Sequence, residues 1–325
     1  MNQIPLATTG KITSQLGFGC SSVMGATGRK ESLALLEHAF DSGIRHFDVA
    51  PMYGYGAAEG CVGDFLARHP GQVTVTTKYG IPPPANQGLM RAARRAVGPV
   101  LKLIPSVKKR LAAAANTVTA AEPKLPFTAA AARPSLDHSL GELRTERIDV
   151  WLLHEVEVED LQDEAFLRFL DDNVAAGKLG AYGCGSSADK IPALVAHCPA
   201  YCPVLQFEWS VLDRPMQPLT AFTMHHRALT EHFRELQEVL QKDAGLCRRW
   251  STEVDADLAE PGMLAALMLK AALVFNPASV ILVSSRSPAH IARNVEVARN
   301  DRLITPARNL YTLVQREGAT ALARG

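Results

Sequence analysis

The sequence lacks any CxxC pair: its six cysteines, Cys20, Cys61, Cys184, Cys198, Cys202 and Cys247, are scattered along the chain. That scatter speaks against a zinc module or a disulfide framework, so buried thiols and no metal are expected. A charge excess is missing too, with 34 Lys and Arg against 33 Asp and Glu; no global field draws the chain to nucleic acid or a membrane surface. No run of about 18 apolar residues is present to cross a bilayer. The opening MNQIPLATTG has neither the basic segment nor the apolar stretch of a secretory leader, and a cytoplasmic protein is expected.

What is present is a chain of 325 residues, 47% apolar and 21% charged, ordinary for a folded globular protein and long enough for one large α/β barrel. Short β-branched or apolar runs alternate with longer helical patterns, the order of parallel strands joined by crossover helices. A hairpin is predicted around Ile4 to Ser14. Strands follow at 15–20, 44–50, 72–78, 148–154, 181–184, 203–208, 219–225 and 279–284, the seventh the least marked. Helices are predicted at 31–42, 57–68, 134–143, 163–176, 188–197, 231–243, 258–274 and 290–298. Eight strand–helix units predict a closed (β/α)8 barrel, residues 1–325 forming one domain.

In such a barrel the site lies at the carboxyl ends of the strands. Asp48, Tyr53, Lys78 and His154 fall there: three end strands two, three and four, and Tyr53 lies five residues beyond Asp48. Each alone reads as an ordinary loop-edge residue; together they form an acid apparatus. A tyrosine hydroxyl, with an ordinary pKa near 10, donates its proton poorly at pH 7 unless a neighbour stabilises the phenolate. Lys78 would supply that charge, Asp48 would hold Lys78, and His154 would orient a carbonyl oxygen. The set suits reduction of an aldehyde or ketone by hydride, which no side chain supplies and a cofactor must.

These segments resemble the aldo-keto reductase family. GIRHFDVAPMYGYGAAEGCVGDFL, from Gly43, is similar to the signature around the catalytic Asp and Tyr, with Glu59 and Gly63 downstream. VTVTTKYG contains Lys78; SLDHSLGELRTERIDVWLLHEVE contains His154; LQFEWS contains Gln206; VILVSSRSPAHIARNVEVA is similar to a carboxyl-terminal nucleotide clamp. The resemblance implies a metal-free TIM barrel that reduces carbonyl compounds, or oxidises the CH–OH group of the alcohol, with NAD(P)H. It makes Asp48, Tyr53, Lys78 and His154 the catalytic tetrad. Gln206 would bind the nicotinamide amide, and Ser284, Ser285, Arg286, His290 and Asn294 would surround the adenosine phosphate and adenine.

The chain departs from the family pattern in places. Gly185-Ser186 stands where Ser-Asn is common, leaving the carboxamide to Ser186. Ser284 and His290 stand where a Lys and an Arg often hold the 2′-phosphate, with Arg286 and Arg293 nearby. Because a guanidinium favours phosphate, NADP (as NADPH) is favoured over NAD. An aromatic residue for stacking on the nicotinamide is not evident on strand seven, and the His225–His226 pair near that place reads as structural or solvent-facing, with stacking on the cofactor the lesser alternative.

The segment from Gly80 to Pro126 has no family counterpart. Between 89 and 121 it carries Arg91, Arg94, Arg95, Lys102, Lys108, Lys109 and Arg110, no acid, and interleaved apolar residues. It is expected to form a large basic insertion over the barrel mouth that governs the choice of a small-molecule carbonyl substrate; contact with a membrane surface is the lesser alternative. Two rival readings stay open. Gly183, Gly185 and Ala188 in GCGSSA, with Glu208 some 20 residues on, fit a dinucleotide-binding fingerprint. A reductase-like barrel could also serve as a nucleotide-binding regulatory or scaffold protein.

Overall fold

The computed structural model describes residues 1–25, 27–83, 124–213, 216–229 and 231–322. Two short strands, β1 (Gln3–Pro5) and β2 (Ile12–Ser14), form the predicted antiparallel hairpin, with Ile4 opposite Thr13. Eight parallel strands then close a barrel: β3 (Leu16–Gly19), β4 (His46–Asp48), β5 (Thr74–Tyr79), β6 (Ile148–His154), β7 (Leu179–Gly185), β8 (Val204–Glu208), β9 (Phe222–His226) and β10 (Val280–Val283). They neighbour one another in chain order, and β10 pairs back onto β3.

Helices alternate with the strands: α1 (Arg29–Asp41), α2 (Ala58–Leu66), α3 (Ala129–Leu143), α4 (Glu164–Ala175), α5 (Ile191–His197), α6 (Glu231–Lys242), α7 (Ala244–Val254), α8 (Met263–Phe275), α9 (Pro288–Arg299) and α10 (Ile304–Leu322). No described helix is long and apolar enough to cross a membrane. All six cysteines are buried free thiols.

Strand alternation sorts the side chains into two layers. Val150, Leu152, Ala181, Val204, Met224, Val280 and Leu282 fill the barrel interior together with Ile4 and Leu6 of the hairpin. Thr13 bonds Thr74 at the start of β5, oxygen to oxygen at 2.7 Å, so the hairpin closes the amino-terminal end of the barrel. The odd-face partners Phe47, Val75, Trp151, Leu205 and Phe207 pack outward against the helices. A separate apolar cluster, with Trp250, Leu267, Ala307 and Leu310, joins α7, α8 and α10.

Boundaries shift from the sequence reading where glycine and proline act. β7 starts at Leu179, two residues earlier than predicted, and carries Gly180 and Gly183. A Cβ on Gly183 would lie 2.0 Å from the carbonyl oxygen of Val204. The glycine-rich run GCGSSA therefore reflects strand crowding in a closed barrel, and its downstream Glu208 accepts the Ala188 N–H at 3.0 Å; the dinucleotide-fingerprint reading falls. The seventh barrel strand starts at Phe222 rather than 219. α3 runs through Pro134 from the Thr128 cap. α8 starts after Gly262, whose φ of +88° breaks the chain there, rather than at 258. Helices α7 and α10 have no counterpart in the sequence reading, although Leu246, Trp250 and Val254, and Ala307, Leu310 and Val314, repeat at helical spacing.

Of the segment predicted as a basic insertion, residues 84–123 lie outside the described residues. Its two ends meet: Leu125 N–H donates to Gly80 O at 2.8 Å and the Tyr79 hydroxyl to Pro126 O at 2.5 Å. The excursion thus leaves and returns at the carboxyl end of β5.

Gly183→Ala tests the crowding argument. It is expected to destabilise the protein by at least about 2 kcal/mol, because the backbone oxygen it meets cannot rotate away. Chemical denaturation measures this, and an unchanged midpoint would contradict it.

Candidate active site

The inward positions at the top of β4, β5, β6 and β8 carry polar residues where lower layers carry apolar ones. The Lys78 ammonium donates to both carboxylate oxygens of Asp48, at 2.6 and 2.7 Å, and lies 3.4 Å from Val49 O. Gln206 Nε2 donates to Asp48 Oδ2 at 2.7 Å. One layer below, His46 meets Thr74 through Nδ1 at 3.0 Å and Thr76 through Nε2 at 3.2 Å. The ion pair therefore rests on satisfied polar groups, as burial of charge requires.

Tyr53 lies just past β4 in the single helical turn Tyr53–Tyr55. The turn folds back sharply through Gly54 (φ +59°), Tyr55 (φ +57°) and Gly56 (φ +77°). Gly54 admits no side chain, since a Cβ would meet Val23 O at 2.7 Å. The result brings the Tyr53 ring to 5.7 Å from the Lys78 ammonium. Glu59, buried on α2, accepts a 2.7 Å hydrogen bond from Thr77, the neighbour of Lys78, and so ties that helix to β5.

Burial alone would lower the Lys78 pKa, but Asp48 and then Tyr53 outweigh it and the ammonium is held charged. Burial raises the Tyr53 hydroxyl, and the Lys78 charge works against that rise. His154 is pushed down to about 3 by burial and then by Lys78, and burial first brings His226 to about 4. Both imidazoles are neutral at pH 7. His154 Nδ1 is buried and has no hydrogen-bond partner among the described residues.

A cavity of about 420 Å³ opens at this end of the barrel. Asp48, Tyr53, Lys78 and His154 line one part of it, and Ser186, Gln206, Ser284 and Asn294 also reach its wall. The Ser186 hydroxyl donates to Val156 O at 2.8 Å. Ser285, Arg286 and His290 stand off the wall: Ser285 accepts the Ser287 N–H at 3.1 Å, while Arg286 and His290 are exposed around the first turn of α9.

The wall also includes Glu155, His226 and Arg227, which the sequence analysis does not propose as site residues. Their signal was their place, since each ends a strand or directly follows one. The histidine pair divides by alternation: His225 packs edge-on against Phe207, ring centroids 4.6 Å apart, whereas His226 faces the cavity. The structural or solvent-facing reading thus divides: His225 is buried against Phe207, and half-buried His226 lies on the open cavity wall. Among the described residues no His, Cys, Asp or Glu cluster could hold a metal ion.

D-threo-aldose 1-dehydrogenase of a Pseudomonas species is 27% identical, covering 90% of this chain and 91% of that one. Pyridoxal 4-dehydrogenase of Microbacterium luteolum is 44% identical over 78 residues; that match spans only 23% of each protein. An aldo-keto reductase from Klebsiella pneumoniae, solved in complex with NADPH, shares the fold with a TM-score of 0.61 at 17% identity, over 96% of each chain. Residues 15–229 match the model of the aldo/keto reductase family, and this chain belongs to that family.

Proposed function

We propose that the protein reduces an aldehyde or ketone to the alcohol, or runs the reverse oxidation, with a nicotinamide cofactor. The observation that carries this reading is the Lys78 ammonium, bridging both oxygens of Asp48 beneath the Tyr53 ring in a cavity that also holds His154. The donor set fits a dinucleotide: the Gln206 and Ser186 side chains suit a carboxamide, Ser284 and Asn294 line the same cavity, and Arg227, Arg286 and His290 offer cationic or donor groups to phosphates. A helix amino terminus at Pro288 adds favourable backbone dipoles. When bound, the reduced nicotinamide supplies the hydride.

The chain's own residues then handle the proton. Tyr53 donates its hydroxyl proton to the carbonyl oxygen as the hydride reaches carbon, giving the alcohol and a phenolate. Lys78, held charged by Asp48, stabilises that phenolate. Neutral His154 offers a hydrogen bond to the same oxygen without carrying a charge of its own. NADP is favoured over NAD because Arg227 and Arg286 are suited to an additional phosphate.

Titration with NADPH and with NADH, followed by turnover of a generic aldehyde, tests the reading. Tyr53→Phe is expected to lower kcat by about a hundredfold or more while the Kd for NADPH barely moves. Lys78→Met should do the same through the Tyr53 hydroxyl. Retention of activity within about tenfold in Tyr53→Phe would remove the general-acid role, whereas binding without turnover in the natural protein would favour a regulatory barrel.

The pH profile supplies an independent check. Since the His154 pKa is depressed to about 3, its proton is bound only in strong acid, and kcat/KM should be flat from about pH 5 to 8. A limb near the ordinary histidine value of about 6.5 that disappears in His154→Gln would show that a charged imidazole is required.

A further inference from the structure

Glu155 follows the last residue of β6 and lines the cavity beside His154. Its backbone is left-handed, φ +56°, a conformation that glycine adopts freely and glutamate does not. Three hydrogen bonds force the bend: Glu155 N–H and Val156 N–H both donate to Gly185 O, at 2.7 and 3.4 Å, and the Ser186 hydroxyl donates to Val156 O. The barrel therefore requires a left-handed residue here, yet a long acidic side chain occupies the position. Strain held next to reacting groups points to a use for the side chain.

That carboxylate is exposed, and among the described residues it makes no hydrogen bond or ion pair. Lys190, close enough to feel the Glu155 charge, is paired with Glu157 at 2.5 Å. Burial raises the Tyr53 hydroxyl most, and the Glu155 charge adds to that rise, so the two groups sit within electrostatic reach. A carbonyl placed against Tyr53 and His154 would share its cavity with Glu155. An ionised carboxylate only accepts hydrogen bonds, so the group it meets must be a donor.

Resting on the reductase reading above, we infer that Glu155 selects the substrate by accepting a hydrogen bond from a hydroxyl next to the reacting carbonyl, which fits the site to polyhydroxylated aldehydes. A site built to pair with a hydroxyl discriminates against the analogue lacking it. It also disfavours carbonyl compounds bearing a carboxylate at that position, through like-charge repulsion.

The test compares kcat/KM for glyceraldehyde and for propanal, which share a three-carbon skeleton, at saturating NADPH in the natural protein, Glu155→Gly and Glu155→Gln. The natural protein is expected to prefer glyceraldehyde. Glu155→Gly should lower the glyceraldehyde-to-propanal ratio about tenfold, the loss of one hydrogen bond to a charged group, while raising Tm because glycine relieves the backbone. Glu155→Gln, which keeps an acceptor, should hold the ratio within about threefold of the natural value. An unchanged ratio in Glu155→Gly, or an equal fall for both aldehydes, overturns the inference. So does a Glu155→Gln loss as large as that of Glu155→Gly, which would mean that charge and not hydroxyl recognition is at work. A natural protein that binds NADPH yet reduces neither aldehyde fails at the reductase reading itself, a result separable from failure of the ratio alone.

Discussion

The buried ion pair between Lys78 and Asp48 is the constraint around which the rest of the site is arranged. Lys78 is 2% exposed and its partner 5%. Taking two such charges out of water costs several kcal/mol each, and the cost is offset only where both are well paired and hydrogen-bonded. Here the ammonium spans both carboxylate oxygens, and Gln206 donates to one of them. Removing either partner would leave an uncompensated charge, a change of about 3–5 kcal/mol in comparable settings. The pair is therefore built into the barrel and available to a neighbour, and the neighbour it faces is Tyr53.

The polar surroundings of that pair are tuned by burial. His46, His154, His225 and His226 all sit in low-dielectric positions that press their pKa values down to about 3 or 4. Near neutral pH they add hydrogen-bonding groups without adding charge, so they do not compete with the Lys78 ammonium as cations. His46 extends the arrangement downward, joined to Thr74 and Thr76 and, through Thr74, to Thr13 of the hairpin. A buried polar group thus runs from the hairpin at the base of the barrel to the layer beneath the ion pair.

Some of the backbone strain falls where the strands hand over to loops at the site. Tyr55, Glu155 and Arg227 all adopt positive φ without being glycine, and Gly54, Gly56 and Gly80 adopt it freely. Three of these positions, 54, 55 and 56, aim Tyr53; another, Gly80, must pass 3.1 Å from His154 O if given a Cβ. Strands supply rigid inward directions and these tight bends supply the remaining reach. A site at the carboxyl ends of a parallel barrel gains both.

Much of this was legible in the residue order. The alternation of apolar runs predicted eight strands, and the positions of Asp48, Lys78 and His154 at strand ends, with Tyr53 just beyond one, placed four polar groups at one end, because strand position alone determines which end of a barrel a residue occupies. Helices α7 and α10 went unread although their apolar repeats are present, since the short apolar stretches there compete with loop chemistry around Gly262 and Pro306. The inward or outward facing of a residue near a strand boundary needs the register, which only the closed sheet decides: β9 begins at Phe222, and that choice turns His226 to the cavity and His225 to the helices. Gly183 shows the same limit, for its run leaves a dinucleotide fingerprint open as a rival until the oxygen of Val204 is found where a side chain would be. Local sequence thus determined the chemical groups and their order along the chain. Closure of the barrel decided which of them meet, because contacts between residues far apart in sequence depend on strand stagger and on bends such as that at Glu155, which one-dimensional spacing does not encode.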